Sequence, residues 1–287
     1  MSRVLIPILV SAAFLAQSDP QALQRMVATE RAFAAATAEI GVRDGFLSFF
    51  ADDAIDLSPG ADGTKATIGR AKTAIQALEP AKLPLLTRLY WEPFTGQVSS
   101  GGDMGWLTGA SVNRNLVTND ILRTGAYFSV WKRQANGTWR VWLDEGSALP
   151  TMWNDASPFR VAPEPDAGTA GTASETVDAA ESAVAAGGEA WRARLSVSVR
   201  LHRDGRMPFV GRDAVTGWAA ADRQSVRETT IKIERAASDD LAVALGGYDA
   251  TLVNPAGAAD HGTFIRVWKR DVTGRWRIVF ETNKTAK

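Results

Sequence analysis

The first half of the chain passes from helical to strand periodicity. Apolar residues first recur at the three- and four-residue spacing of an amphipathic helix, at Leu23, Met26, Val27, Phe33 and Ala34. Shorter helices are predicted around 46–50 and from about 70 to 78. Strands are predicted near 54–58, 86–91, 94–100, 104–112, 122–133 and 138–146. Helices followed by a run of antiparallel strands are typical of an α+β fold.

The last two predicted strands form a hairpin with a readable register. A three-residue loop with Gly137 in the left-handed position accounts for the turn. Alternation along the strands then predicts one inner and one outer face. The inner face carries Tyr127, Ser129, Trp131, Trp139, Val141 and Leu143. The outer face carries Lys132, Arg140 and Asp144.

The chain repeats itself after 137 residues. Segment 125–144 aligns with segment 262–281, and eight of the twenty positions are identical. The same shift aligns Asp103 with Asp240, and a recurrent aspartate at this position favours a turn role. A repeat of this length predicts a tandem duplication of a whole domain. The inner face of the second copy is then Phe264, Arg266, Trp268, Trp276, Ile278 and Phe280.

Composition shifts define the domain boundaries. Prolines at 150, 158, 163 and 165 precede the stretch AGTAGTAS, which predicts a Pro/Ala/Gly linker of loose coil at 149–174. The first domain is then 19–148 and the second 175–287. The acidic segment ADDAIDLSPG of the first copy aligns near LSVSVRLHRDG in the second. Because its acids are lost, the second copy is predicted to be degenerate.

The N-terminus has the pattern of a secretory signal peptide. Arg3 precedes an apolar run from Val4 to Ala16, and cleavage after Ser18 gives the best small-residue pattern. At about 1.5 Å per residue the run spans roughly 20 Å, which is short of a hydrocarbon layer of about 30 Å. We expect residues 1–18 to be removed, which leaves a periplasmic or secreted protein with no membrane attachment.

Charge and composition exclude several classes of function. The 32 basic and 32 acidic residues give a formal charge of zero, which argues against nucleic acid as a partner. Without cysteine there is no disulfide, thiolate nucleophile or cysteine metal site. The histidines, His202 and His261, lie in polar contexts that predict surface positions, so we expect no metal and no cofactor.

Several segments resemble a known superfamily. ERAFA at 30–34, FADDA at 50–54, WEP at 91–93 and VWKRQANGTWRVWLDEG at 130–146 are similar to secreted SnoaL-like proteins of the nuclear-transport-factor-2-like group. The resemblance implies two tandem cystatin-like cone domains, each with N-terminal helices packed on a curved antiparallel sheet. It also implies that the sheets pair, as an intrachain pseudo-dimer or as a homodimer. Trp142 and Val279, which lie on otherwise polar faces, would be buried in that contact.

The resemblance places a catalytic aspartate of the ketosteroid-isomerase relatives at Ser58, and serine is no carboxylate base. Asp56 lies on the same strand face two residues earlier, and Tyr127 on the inner face is a candidate oxyanion donor. An isomerase, dehydratase or hydrolase with Asp56 as base and no cofactor is therefore the alternative function.

The preferred interpretation is a non-catalytic small-molecule-binding or accessory protein. An apolar pocket is predicted in the first domain, where aromatic side chains line the inner strand faces. A small apolar ligand would contact Trp106, Tyr127, Ser129, Trp131, Trp139 and Val141.

Overall fold

The computed structural model describes residues 21–59, 65–154 and 158–286. The helices of the first half are α1 (Ala22–Ile40), α2 (Val42–Phe49) and α3 (Ala71–Gln76). Its strands are β1 (Ile55–Pro59), β2 (Ala66–Arg70), β3 (Thr87–Val98), β4 (Met104–Asn115), β5 (Ile121–Arg133), β6 (Trp139–Ala148) and β7 (Arg160–Val161). The antiparallel sheet has the order β6-β5-β4-β3, and β7 adds to β3 in parallel. Strands β1 and β2 form a separate hairpin.

The second half repeats this order of helices and strands. Its helices are α4 (Val177–Val184), α5 (Gly188–Arg192) and α6 (Arg212–Asp222). Its strands are β8 (Leu195–Arg203), β9 (Phe209–Val210), β10 (Arg223–Arg235), β11 (Leu241–Leu252), β12 (Ala259–Arg270) and β13 (Trp276–Thr285). The sheet order is β10-β11-β12-β13-β8-β9, with β8 parallel to β13. The predicted α+β class is confirmed.

Strand β3 covers two of the predicted strands. The prediction broke the strand near Pro93, because proline lacks the N–H of a sheet ladder. In the structure the pairing with β4 shifts between Pro93 and Thr95, so a bulge accommodates the proline and the strand continues. The predicted hairpin loop is confirmed, because Gly137 and its counterpart Gly274 have φ of 84° and 78°.

Each sheet carries its helices on one face. In the first half, α1 buries Met26 and Phe33 against Trp131 and Val141. In the second half, α4 and α5 bury their apolar residues against Trp268, Trp276 and Ile278. We call these helix-covered faces the inner faces.

The outer faces of the two sheets share one hydrophobic core. Positions that are 137 residues apart enter it as pairs: Met104 and Leu241, Trp106 and Val243, Phe128 and Ile265, Val130 and Val267, Trp142 and Val279, Leu143 and Phe280. The rings of Phe128 and Phe280 stack with centroids 4.3 Å apart. Trp142 is 1% exposed. The layers are therefore helices, sheet, sheet and helices.

Hydrogen bonds at one end of this core are reciprocal. Asp103 accepts a bond from the backbone N–H of Ala237 at 2.8 Å, and Asp240 accepts one from that of Ser100 at 3.0 Å. Ser100 and Ala237 are 137 residues apart, as are the two aspartates. Equivalent groups thus exchange contacts, which is the geometry of an isologous interface. Each aspartate therefore lies at a turn, as predicted, and also accepts a hydrogen bond from the other half.

A bulge in each last strand corrects the predicted side-chain alternation. Trp131 pairs with Val141 but Val130 pairs with Leu143, so Trp142 is an inserted residue. Leu143 therefore faces the other sheet, and Asp144, opposite Ser129, faces inward. Both had been predicted on the reverse faces.

The second half has the same bulge, at Val279. Phe280, predicted on the inner face, lies in the core between the sheets. Glu281 pairs with Arg266 on the inner face instead.

The predicted linker is attached to both halves. Gln97 donates to the carbonyl of Ala162 at 3.0 Å, and Asp166 accepts from the N–H of Val197 at 2.6 Å. Gly168 lies so close to the Arg277 side chain that a Cβ would be 1.9 Å from it. The expectation of loose coil is wrong for the described part of 149–174, because these polar groups fix its path.

The predicted signal peptide, residues 1–18, lies outside the described residues. Within the described ranges, no helix combines the length and the apolar character that a membrane crossing requires.

Replacement of Trp142 by alanine should destabilise the protein by about 3–5 kcal/mol, because it opens a cavity between the sheets. Urea denaturation followed by circular dichroism measures this loss. The exposed Val117→Ala is the control and should change the free energy of unfolding by less than about 0.5 kcal/mol. A Trp142→Ala effect as small as the control would contradict the packing of the two sheets.

Candidate functional site

The inner face of the first half holds a buried carboxylate. Glu30 on α1 is fully buried and accepts hydrogen bonds from Trp91 Nε1 at 2.6 Å, Ser129 Oγ at 2.6 Å and Trp131 Nε1 at 2.8 Å. Burial raises the pKa of Glu30, although the three donors favour its charged form. The carboxylate thereby joins α1 to β3 and β5.

Aromatic rings pack around this carboxylate. The ring of Phe33 lies 4.8 Å from that of Phe46, 5.2 Å from Phe49 and 4.7 Å from Trp91, measured between centroids. The hydroxyl of Tyr127 is buried beside them and has no hydrogen-bond partner among the described residues. Burial raises the pKa of Tyr127 well above its ordinary value. These rings occupy the space in which a pocket was predicted.

The structure divides the predicted ligand-binding residues between two faces. Five of them are buried on the inner face and pack in the core: Tyr127, Ser129, Trp131, Trp139 and Val141. Trp106 lies on the opposite face of the sheet, 5.4 Å from the ring of Phe280. Its assignment to the pocket is corrected, because strand alternation points it toward the second half.

The predicted catalytic residues fall in separate surroundings. Asp56 is half-buried and accepts a hydrogen bond from Ser58 at 3.1 Å. Its charge acts on Lys284, which belongs to the second half. Tyr127 instead lies near Glu30 and Asp144, whose charges add to the burial that raises its pKa. Asp56 and Ser58 thus adjoin each other, and Tyr127 belongs to the Glu30 cluster.

The inner face of the second half holds a buried arginine among three carboxylates. Arg266 is fully buried, and its guanidinium donates to Glu181 at 2.9 Å, Glu228 at 2.7 Å and Glu281 at 2.8 Å. Trp268 also donates to Glu181, at 2.5 Å. A buried cation needs such partners, since an unpaired charge in this environment is very costly.

The two clusters occupy equivalent positions. The 137-residue shift relates Ser129 to Arg266, Trp131 to Trp268, Trp91 to Glu228 and Asp144 to Glu281. Glu30 and Glu181 each lie on the first helix of their half and accept from the equivalent tryptophans. The main difference is that a large ring at position 91 is replaced by a carboxylate at position 228.

A cavity of about 260 Å³ opens beside Glu228 in the second half. It lies between α5, the end of α6, the start of β10 and β13. The large side chains that line it are Trp191, Trp218, Arg223, Glu228 and Glu281. Glu281 is fixed by Trp191 Nε1, which donates to it at 3.1 Å.

Arg223 forms the cationic wall of the cavity. Its guanidinium lies 4.8 Å from the ring centroids of both Trp218 and Tyr248, and its Nη2 donates to Asn283 at 3.0 Å. Its Nε and the Nε1 of Trp218 are buried, and neither has a hydrogen-bond partner in the described portion of the chain. Burial, and then the charge of Arg203, lower the pKa of Arg223.

Glu228 forms the acidic wall. Burial raises its pKa to about 7, against the opposing attraction of Arg266, and the charges of Glu281 and Glu181 add to the rise. A carboxyl group with this pKa exchanges a proton near neutral pH, which suits it to general acid–base chemistry.

The histidine prediction needs correction. His202 is 1% exposed, with its ring between Trp153 and Phe280. Burial, and then the charge of Arg200, lower its pKa to about 3. In the part of the chain that the structure describes, no group of three or more acidic or histidine side chains is placed to hold a metal.

One sequence signal pointed to the second cluster. Arg266 falls on a predicted apolar inner face, where a charge requires buried partners. The helix carrying Glu181 and the strand carrying Glu228 are too distant in sequence for a pattern to name them as those partners.

No protein-family model matches the chain, and no curated protein is significantly similar to it. Solved structures similar to parts of it include a ketosteroid isomerase-like protein from Erwinia carotovora, with 15% identity, a TM-score of 0.30 and coverage of 34% of this chain and 80% of that one. A nuclear-transport-factor-2-like protein of unknown function from Prochlorococcus marinus has 13% identity, a TM-score of 0.32 and coverage of 39% and 91%. A conserved protein from Planctomyces limnophilus has 16% identity, a TM-score of 0.28 and coverage of 34% and 80%.

Glu228 should make the protein less stable as the pH rises. Its pKa is about 7 in the folded protein and near 4.5 ordinarily, so the folded state binds more protons between these values. Stability then falls as the pH rises through this window. Glu228→Gln should flatten the fall in unfolding free energy between pH 5 and pH 8, measured by urea denaturation. The exposed Glu39→Gln should keep the wild-type slope, and parallel profiles for all three proteins would contradict the assignment.

Proposed function

We propose that the protein binds a small organic molecule in the cavity of its second half. The observation that carries this proposal is the contrast between two equivalent interiors. In the first half, Trp91 and the phenylalanine rings fill the space next to Glu30. In the second half, Glu228 replaces the tryptophan, and a cavity of about 260 Å³ remains beside two indole rings.

The proposal moves the ligand from the first half to the second. A purely structural domain gains stability by filling its interior with side chains. The second half instead keeps an open space next to buried charged groups. Burial of a charged group away from water carries a large free-energy cost. Concave sites with aromatic walls and a few placed polar groups are typical of ligand pockets.

The protein is also proposed to act outside the cytoplasm, as a periplasmic or secreted protein. The support is the sequence pattern of residues 1–18, with one arginine before a short apolar run. The two sheets are proposed to serve as an intrachain pseudo-dimer, supported by the equivalent residue pairs in their shared core. A single chain then provides the scaffold that holds the ligand-binding half.

Native mass spectrometry of protein isolated from its own host tests the ligand-binding proposal and the export proposal at once. We expect a mature mass that corresponds to cleavage after Ser18 and a second species with a retained small molecule. Ala219→Phe should remove that species, because Ala219 lines the cavity and the added ring fills it.

The matched control is Ala220→Phe, at the next and exposed position of α6. It should retain the bound molecule. If both variants and the wild type carry the same molecule, or if none of them carries one and ligand-observed NMR detects no binding, the proposed binding function is wrong.

A catalytic role is the second candidate, and the pKa of Glu228 near 7 favours it. Glu228 would transfer a proton to or from the bound molecule, while Arg223 would stabilise a developing negative charge. Such a reaction needs no cofactor. This candidate takes the place of the isomerase, dehydratase or hydrolase with Asp56 as base, since Asp56 and its candidate oxyanion donor Tyr127 lie in different surroundings.

For any isomerisation, dehydration or hydrolysis that the protein catalyses, Glu228→Gln should lower kcat by about 10²-fold or more. Asp56→Asn is the matched carboxylate-to-amide control in the first half, and it should leave kcat within about twofold. Steady-state kinetics on the two variants decide the assignment. The reverse pattern would return the base to Asp56.

A further inference from the structure

The cavity contains a cation and an acid that are not paired with each other. Arg223 has no carboxylate within ion-pair distance in the described part of the chain, and its Nη2 donates to the neutral side chain of Asn283. Glu228 instead accepts a hydrogen bond at 2.7 Å from Arg266, which does not line the cavity. The opposite charges of Arg223 and Glu228 face one space and leave it unbridged.

The unpaired buried groups at the cationic wall are hydrogen-bond donors. Arg223 Nε and Trp218 Nε1 are buried and have no partner within residues 21–59, 65–154 and 158–286. Neither side chain can accept a hydrogen bond, so the group that completes this wall must supply acceptors. Buried polar groups in native proteins normally have partners, and these two donors belong to side chains that line the cavity.

The acidic wall restricts the remaining polar contact. Glu281 already accepts bonds from Trp191 and Arg266, so its carboxylate has partners within the protein. Glu228 takes up a proton near neutral pH and can then donate to an oxygen. An anionic oxygen pair thus fits between Arg223 and protonated Glu228, whereas an ammonium group would face the guanidinium.

Size and shape set the rest of the molecule. The cavity of about 260 Å³ is below the range of about 300–1,000 Å³ for drug-sized ligands, so a single ring is the appropriate scale. The indoles of Trp191 and Trp218 offer apolar surfaces to such a ring.

We propose that this cavity binds a small aromatic monocarboxylate, with its ring against the two indoles and its carboxylate at Arg223. The proposal rests on the binding function proposed above and specifies its ligand class. It assigns the specificity for an anion to Arg223 and the proton that accompanies binding to Glu228.

Three single-ring probes that differ in the charge of the substituent test the charge preference by calorimetry: benzoate, benzamide and benzylamine. At pH 6, we expect benzoate to bind at least tenfold more tightly than benzamide, and benzylamine to bind more weakly than either. Arg223→Gln should weaken the affinity for benzoate at least tenfold and leave the affinity for benzamide within twofold of the wild-type value. Arg227→Gln removes an exposed charge from the same strand and should leave both unchanged.

The pH dependence supplies an independent readout. Glu228 is faced by Arg266 from β12, Glu281 from β13, Glu181 from α4 and Arg223 from its own strand. A bound carboxylate adds negative charge beside Glu228, so benzoate binding should take up a proton. Benzoate affinity should therefore fall at least threefold between pH 6 and pH 8, and Glu228→Gln should remove this dependence.

The outcomes separate this proposal from the binding function. If benzamide or benzylamine binds as tightly as benzoate and Ala219→Phe abolishes that binding, the cavity binds ligands but the preference for carboxylates is wrong. Equal weakening of all three probes by Arg223→Gln also overturns the preference. If no probe binds, the ligand class is refuted, and the retained-molecule experiment decides the binding function separately.

Discussion

A one-residue bulge in the last strand of each half decides which side chains meet the partner sheet and which meet the helices. Because side chains alternate along a strand, one inserted residue reverses every position that follows it. In the second half, the bulge at Val279 turns Phe280 into the shared core and Glu281 toward Arg266. Without it, a phenylalanine would lie among the buried charges and a carboxylate would lie between two apolar sheets. The association of the halves and the chemistry of the cavity both depend on this local feature.

The second half buries a cluster of charged side chains around Arg266. Arg266 contacts three carboxylates, and the pKa of Glu228 rises chiefly because the group is buried, with the charges of Glu281 and Glu181 adding to the rise against the attraction of Arg266. A buried ionic cluster is weak support for stability, since apolar residues of similar volume often serve as well or better. The position equivalent to Arg266 in the first half carries Ser129. Aromatic rings fill the interior of that half. The comparison within one chain therefore associates the ionic cluster with open space rather than with packing.

The proposed ligand site lies in the half that the sequence-based expectation treated as degenerate. Loss of acids from one strand segment indicated that the second copy was degenerate. The acids that line its cavity, Glu228 and Glu281, come instead from two other strands, and Glu181 on a helix is joined to them through Arg266. The first half retains the aromatic residues that suggested a pocket, but its rings contact one another. Aromatic content on an inner face predicts burial, and only the three-dimensional packing separates a core from a pocket lining.

The sequence by itself determined the α+β class, the hairpin turn at Gly137, the 137-residue periodicity and the aromatic inner faces. These follow from local spacing and from residue types that a turn or a strand face requires. The tertiary structure alone decided the inward direction of Asp144 and Glu281, the burial of His202 and the meeting of Glu181, Glu228 and Arg266. A bulge shifts pairing without a mark in the hydrophobic pattern, and partners that are tens of residues apart meet only when helix and sheet pack together. Local periodicity therefore sets the elements, whereas register and long-range packing set the site.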